Sequence, residues 1–237
     1  LSTLIAIKMY DKDVMALFFR ATLQTSFVSI IVATIIGFSL TLGNKLFLQQ
    51  KFIVENIPNK KVKHIEDLNE YLLQEKIKLY ENIKPESFIS PSQKELFIFS
   101  NEINRLINVD NIEEAKKIIL ELSTIGLSGV IAQNRYVVLT QESKKGWGIY
   151  LIDLKNKSNL LVSVPSPLEE WGTFESGIVL LKKLNAKALS IAGAKRDVNT
   201  AGEADVLKNK ATLFYSFFES FHKENTIMIR GYSSPIA

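Results

Sequence analysis

The chain contains no cysteine in its 237 residues. That excludes disulfides, thiolate metal ligands and cysteine nucleophiles. Histidine is almost as scarce: His64 and His222 are the two present. His64 sits in a charged stretch and His222 at the end of an aromatic helix, so both read as structural or solvent-facing. Charge of one sign is not concentrated anywhere. The 29 basic and 25 acidic side chains leave a net charge of +4. Lysines alternate with glutamates rather than forming a stripe, so nucleic acid is not an expected partner. No repeat and no low-complexity tract occurs. What the chain does have is a globular balance, 46% hydrophobic and 23% charged residues, which excludes wholesale disorder.

One long uncharged run stands out, from Ala21 to Asn44. A bilayer core needs roughly 20 predominantly apolar residues, so this run is a transmembrane candidate. The competing readings are a buried helix, since Thr22, Gln24, Ser26 and Ser29 temper its hydrophobicity, and a secretory signal, which fits less well. Lys8, Lys12 and Arg20 flank one end and Lys45, Lys51, Lys60, Lys61 and Lys63 the other. Orientation is therefore open. The expected location is the cell membrane, as a single-pass protein or part of a larger membrane protein. The start at Leu1 and the stop at Pro235-Ile236-Ala237 read as a fragment or a truncated gene product.

The pattern divides into a membrane-anchor segment at 1–50, a helical connector at 51–126 and an α/β domain at 127–237. In the connector, Leu68, Tyr71, Leu72 and Leu79 share a helical face. Ser90, Pro91 and Gln93 predict a capped helix carrying Phe97, Phe99, Ile103 and Leu106. Asp110 to Glu113 open a second helix that Gly126 closes. Val130–Thr140 and Trp147–Leu154 read as two strands joined by the polar turn 141–146. Leu160–Val164, Ala188–Ala192 and Thr226–Arg230 read as three more, separated by a helix that Thr173 caps and one from about Asp205 to Lys223. Phe214, Phe217, Phe218 and Phe221 recur at helical spacing in the latter, as a core stripe does.

This order predicts an α/β fold with a mixed, mainly parallel sheet and flanking helices, preceded by a membrane helix and the connector. In such sheets ligands gather outside the carboxyl ends of the parallel strands. Three loops should meet there, bringing Ser166, Glu169, Glu170, Thr173, Lys195, Arg196, Asp197, Asn199 and Asp205 together, with Arg230 at their border.

Four runs carry a family resemblance: Gly146-Trp147-Gly148; Val164 to Thr173 (VPSPLEEWGT); Ile191 to Arg196 (IAGAKR); and Asp205 to Asn209 with Thr212-Leu213-Phe214. Together they resemble a soluble domain of membrane proteins assigned to poly-gamma-glutamate (capsule) synthesis. That domain is similar to zinc-dependent amidohydrolases of the carboxypeptidase and poly-gamma-glutamate hydrolase type. The resemblance covers roughly Leu127 to Tyr232. It implies a zinc site built on a His-Pro-Leu-x-Glu loop and an Ala-Gly-Ala-His-Arg loop. Here the histidine positions hold Ser166 and Lys195. A serine hydroxyl is a poor zinc ligand, and an ammonium has no lone pair to give.

Two readings follow. In the first, the domain is a non-catalytic member of an envelope-polymer system, with no metal or cofactor. Ser166, Thr173, Lys195, Arg196, Asp205 and Arg230 then bind an anionic polymer or a subunit of the synthesis machinery, and Lys195 replaces the metal's charge. In the second, the domain is a metal-dependent hydrolase of amide bonds in an acidic polymer, with Glu169 or Glu170 as base and zinc as cofactor. A serine–lysine hydrolase using Ser166 and Lys195 rests on the residue types alone.

Overall fold

The structure, a computed structural model, describes residues 61–81, 88–221 and 225–232. The uncharged run Ala21–Asn44 and His222 lie outside them. Among the described residues no helix is long and apolar enough to cross a membrane.

Seven strands form one sheet in the order β1-β2-β3-β4-β6-β5-β7. They are β1 Lys63–Ile65, β2 Leu127–Ala132, β3 Tyr136–Gln141, β4 Ile149–Asp153, β5 Leu161–Val164, β6 Ala188–Ile191 and β7 Thr226–Met228. The helices are α1 Leu68–Tyr80, α2 Gln93–Ile107, α3 Ile112–Ser123, α4 Thr173–Lys183 and α5 Leu213–Ser220. The fold is mixed α/β. It is not mainly parallel, however: β1/β2, β6/β5 and β5/β7 are parallel, while β2/β3, β3/β4 and β4/β6 are antiparallel. The expected β-α-β-α-β unit supplies two of the parallel ladders. The meander before it supplies two antiparallel ones.

That meander begins with a hairpin the sequence reading ran together as one strand, 130–140. The chain reverses at Gln133 and Asn134, both at positive φ (53° and 48°), and the Arg135 N–H donates to the Ala132 carbonyl at 3.0 Å. Primed turns of this hand suit the twist of the flanking strands, and asparagine tolerates that backbone. The reversal is marked in the sequence by the polar Gln133-Asn134-Arg135 alone, with no glycine or proline.

Side-chain alternation along the strands feeds two cores. On one face Tyr150, Ile152, Val137 and Leu139 pack with Phe99, Ile103, Ile118, Leu122 and Phe217, burying α2, α3 and α5. The phenylalanine stripe of α5 is therefore core: Phe217 and Tyr150 stack with centroids 4.9 Å apart. On the other face Ile149, Leu151, Val162 and Leu189 pack with Leu68, Leu72, Leu79, Phe174 and Leu181, burying α1 and α4. The helices read as a connector thus share cores with the strands.

Several helix ends differ from expectation. The capping box of α2 is Ser92 with Glu95, not Ser90 with Gln93, because Pro91 lies outside the helix. Asn111 caps α3, accepting from the Glu113 and Glu114 N–H groups. Thr173 is not the cap of α4. Gly172, at φ 73°, holds that position, and the Thr173 hydroxyl donates to the Glu170 carbonyl at 2.7 Å. The helix expected from Asp205 starts only at Leu213, where the Thr212 hydroxyl caps it.

Helices α2 and α3 hold a buried charge between them. The Arg105 Nη1 contacts Glu102 at 2.5 Å and Glu121 at 2.7 Å, and Glu102 is 1% exposed. Burial, then the hydrogen bond and charge of Glu121, raise the Glu102 carboxyl to about 7 against the opposing pull of Arg105. The folded protein therefore holds this proton over a pH range where the unfolded chain has released it, and stability falls as pH rises from the ordinary carboxylate range to neutrality. Glu102→Gln should flatten that fall. Urea midpoints at pH 5 and pH 8 should show a gain at pH 8 on the order of 1–3 kcal/mol; an unchanged pH dependence would contradict this assignment.

Candidate functional site

The carboxyl ends of β5, β6 and β7 point to one edge of the sheet, and the loops leaving them meet there. The amino end of β4 arrives at the same edge because β4 runs antiparallel to β6. There the backbones of Gly148 and Gly193 nearly touch. A Cβ on Gly148, which sits at φ 97°, would lie 2.2 Å from the Ile191 carbonyl oxygen; one on Gly193 would lie 2.2 Å from the Gly148 nitrogen. Glycine at both positions is what lets these two runs pass each other.

The first loop turns sharply after β5. The Glu170 N–H donates to the Ser166 carbonyl at 2.9 Å, and the turn sends its two adjacent carboxylates in different directions. Glu170 points toward the end of β7. There it accepts from Arg230 Nε at 2.9 Å, from Arg230 Nη2 at 2.7 Å and from the Gly231 N–H at 2.8 Å. Its side chain is 3% exposed. Burial alone would raise its carboxyl, but Arg230 and the Gly231 N–H outweigh that and hold it below the usual carboxylate range. In return the Arg230 guanidinium is raised, first by its hydrogen bonds to Glu170. Glu169 points the other way and meets Arg196 Nε at 3.0 Å.

Glu169 and Arg196 form one wall of an open cleft of about 1050 Å³. The remainder comes from the loop after β6, including Asp197, Asn199, Glu203, Asp205 and Lys208, with Ser90 contributing from outside the sheet loops. The loop shapes itself with its own side chains. Asn199 Oδ1 accepts from the Glu203 N–H at 3.0 Å, Asp205 Oδ1 from the Leu207 N–H at 3.2 Å, and Asn209 Oδ1 from the Ala211 N–H at 2.9 Å. Asp205 also pairs with Lys208 at 3.4 Å. Such local bonds from Asn and Asp compete with helix, which explains why the chain from 205 to 212 stays irregular.

Of the expected site residues, Glu169, Arg196, Asp197, Asn199 and Asp205 line the cleft together. Glu170 and Arg230 lie at the same edge as an ion pair of their own. Thr173 is buried and bonded to the backbone, so its hydroxyl serves the turn. Ser166 is 1% exposed, and its Oγ has no hydrogen-bond partner; in particular it does not bond Lys195, as a serine–lysine pair would. Lys195 is half-buried and makes no ion pair among the described residues. The charge partners of the two glutamates are Arg196 and Arg230 instead. Glu203, Lys208 and Asn209 were not among the expected site residues; the run of Asn, Asp, Glu and Gly between 193 and 211 was their signal, whereas Ser90, expected as a helix cap, carried no signal of a place in the cleft.

Zinc does not fit these residues. Glu170 already accepts from a guanidinium and a backbone N–H, Glu169 is held by Arg196, and Ser166 and Lys195 supply neither a good ligand nor a lone pair. His64, exposed on β1, belongs to a strand at the far edge of the sheet. Among the described residues no group of three or more His, Cys, Asp or Glu is arranged to hold a metal ion.

No family model matches the chain, and neither the curated proteins nor the solved structures contain a significant match to it.

Proposed function

We propose that this is a non-catalytic domain, built on an amidohydrolase-like plan, that binds a polar ligand or a partner subunit within a membrane-attached cell-envelope polymer system. The observation that carries the reading is the engagement of Glu170, both of whose oxygens accept from Arg230 or Gly231. A general base or metal-binding carboxylate needs a free lone pair facing substrate or metal, and Glu170 spends its acceptor capacity on Arg230 and Gly231. Glu169 meets Arg196 at the cleft wall through Oε2 alone. The envelope setting comes from the sequence resemblance, and the membrane attachment from the run Ala21–Asn44.

The cleft also bears on the ligand. Its lining holds four carboxylates, Glu169, Asp197, Glu203 and Asp205, against two cations, Arg196 and Lys208. Both cations are within ion-pair reach of one of those carboxylates. An acidic polymer would meet net repulsion there, so the lining favours a neutral, hydrogen-bonding ligand over poly-gamma-glutamate itself. The full chain in detergent should release no glutamyl fragments from poly-gamma-glutamate, with or without added zinc, and should show no saltable binding to it. Cleavage abolished by Glu169→Gln or Glu170→Gln would establish the alternative, a metal-dependent hydrolase.

A further inference from the structure

The two helical layers differ in what they show to solvent. Helices α2, α3 and α5 cover one face of the sheet and, among the described residues, expose a single large apolar side chain, Phe97. Helices α1 and α4 cover the other face. They expose Leu73, Ile77 and Tyr80 from α1 and Val179 from α4. Trp171, 93% exposed, stands directly before α4 and its Gly172 cap. The two helices lie antiparallel and side by side: Lys182 Nζ donates to Asn69 Oδ1 at 2.6 Å, and further along Lys76 pairs with Glu175. Leu73 falls between the two α1 contacts and Val179 between the two α4 contacts. The Tyr80 hydroxyl donates to the Pro167 carbonyl at 3.2 Å, in the loop that carries Trp171. These side chains therefore form one apolar patch, with its aromatic rings at the end nearest the candidate site.

A second copy of the chain does not suit this patch. Helices of 13 and 11 residues, about 20 Å long and about 10 Å wide, present about 400 Å² together. A stable interface takes about 800 Å² from each partner. A helical peptide needs an open groove to lie in, and the Lys76–Glu175 and Lys182–Asn69 contacts bridge the space between the two helices. A lipid surface asks for neither area nor groove. It takes up apolar crests, with Trp and Tyr at the boundary between headgroups and acyl chains. Lysines fit among them by laying their stems along apolar surface, as Lys76 does over the Tyr80 and Phe174 rings. Chain connectivity favours the same occupant. Residues 45–60 separate the uncharged run Ala21–Asn44 from Lys61, where the description begins, and they span at most about 60 Å. With that run in a bilayer, the tether holds the domain at a high effective lipid concentration. A patch too small to bind a membrane unaided is then sufficient.

We propose that the α1–α4 face rests on a lipid bilayer, with Leu73, Ile77, Val179 and Trp171 entering its interfacial layer. The proposal rests on the membrane attachment through Ala21–Asn44 proposed above. The sheet then lies along the membrane, and the edge holding Glu169 and Arg196 opens beside the headgroups.

The absence of cysteine makes the test clean. The full chain would be reconstituted into phosphatidylcholine vesicles containing a nitroxide-labelled phosphatidylcholine, which quenches nearby fluorophores. Dyes attached at Ile77→Cys and at Val179→Cys should be quenched several-fold more strongly than one at Phe97→Cys, on the opposite layer. The wild-type chain, which needs no substitution, should lose part of its tryptophan emission to the same lipid. Trp171→Phe should abolish that loss, because the remaining Trp147 is buried. Equal quenching at Ile77→Cys and Phe97→Cys in incorporated protein would overturn this proposal and leave membrane attachment standing. A dye at Ile77→Cys shielded from both the labelled lipid and aqueous iodide would overturn it as well, because protein would then cover the face. A chain that does not enter vesicles at all would overturn the attachment and this proposal together.

Discussion

Gly148→Ala should leave little or no folded protein. The added methyl carbon would sit 2.2 Å from the Ile191 carbonyl oxygen and 3.2 Å from the Gly193 nitrogen. Both are backbone atoms, and Ile191 is held by its register with Ile149. The position also needs a left-handed backbone, φ 97°, which a Cβ disfavours. Relief would require moving β4 away from β6, and the Tyr150–Phe217 stack with it. The cost should be on the order of 4 kcal/mol or more, enough to unfold many single domains. Gly193→Ala should behave alike, because its Cβ meets the same backbone crossing from the other side. Soluble yield and thermal unfolding by circular dichroism report this directly. A melting temperature within a few degrees of wild type would show that the two runs do not cross so closely.

Arg230→Ala should be the next most damaging change, and a change in its pH profile should accompany it. The Glu170 side chain is 3% exposed, whereas that of Arg230 is 44% exposed. Removing the arginine leaves a buried carboxylate with one N–H donor. Breaking a buried pair costs about 3–5 kcal/mol. The exposure of Arg230 moderates that, so about 2–4 kcal/mol is expected. In the wild-type protein the Glu170 carboxyl is lowered. Its contribution is therefore present above the unfolded carboxylate range and is lost as pH falls through the lower folded value. Without Arg230 burial dominates and the carboxyl rises, so the sign reverses and stability falls as pH increases toward neutrality. Arg230→Lys should recover only part of the loss, because an ammonium cannot reproduce the two-pronged contact. Denaturant midpoints from pH 4 to pH 8 distinguish these outcomes. Equal losses for Arg230→Ala at both ends would exclude the ion-pair explanation.

How much of this was legible in the sequence follows from which residues carry strong local signals. The β-α-β-α-β order from Leu160 to Arg230 was readable because short apolar runs alternate with a helical period, and that order alone implied which loops share an edge. The core helices α2 and α3 were readable from their apolar spacing. The hairpin at Gln133 and Asn134 was not, because Gln133-Asn134-Arg135 interrupt the apolar run without the glycine or proline that marks most tight turns. β1 was missed because Lys63 and His64 give a three-residue strand no hydrophobic alternation; only its ladder to β2 makes it a strand. In the candidate site, the meeting of the loops holding Glu169 and Arg196 was foreseeable from topology. Which cation would face which carboxylate was not. Lys195 and Arg196 are adjacent in sequence, and only the path of the backbone after Gly193 decides that Arg196, not Lys195, reaches Glu169. The pairing of Glu170 with Arg230 depends likewise on where β7 lies in the sheet.

The measurement that bears most directly on a binding rather than a catalytic domain is the zinc content of the full chain. The protein would be dialysed against excess zinc and then against metal-free buffer, and its metal counted per chain. If Glu169 and Glu170 are committed to Arg196 and Arg230, the wild-type chain should retain no stoichiometric zinc, and Glu170→Gln should leave that result unchanged. One zinc per chain, lost on Glu169→Gln or Glu170→Gln, would contradict the account.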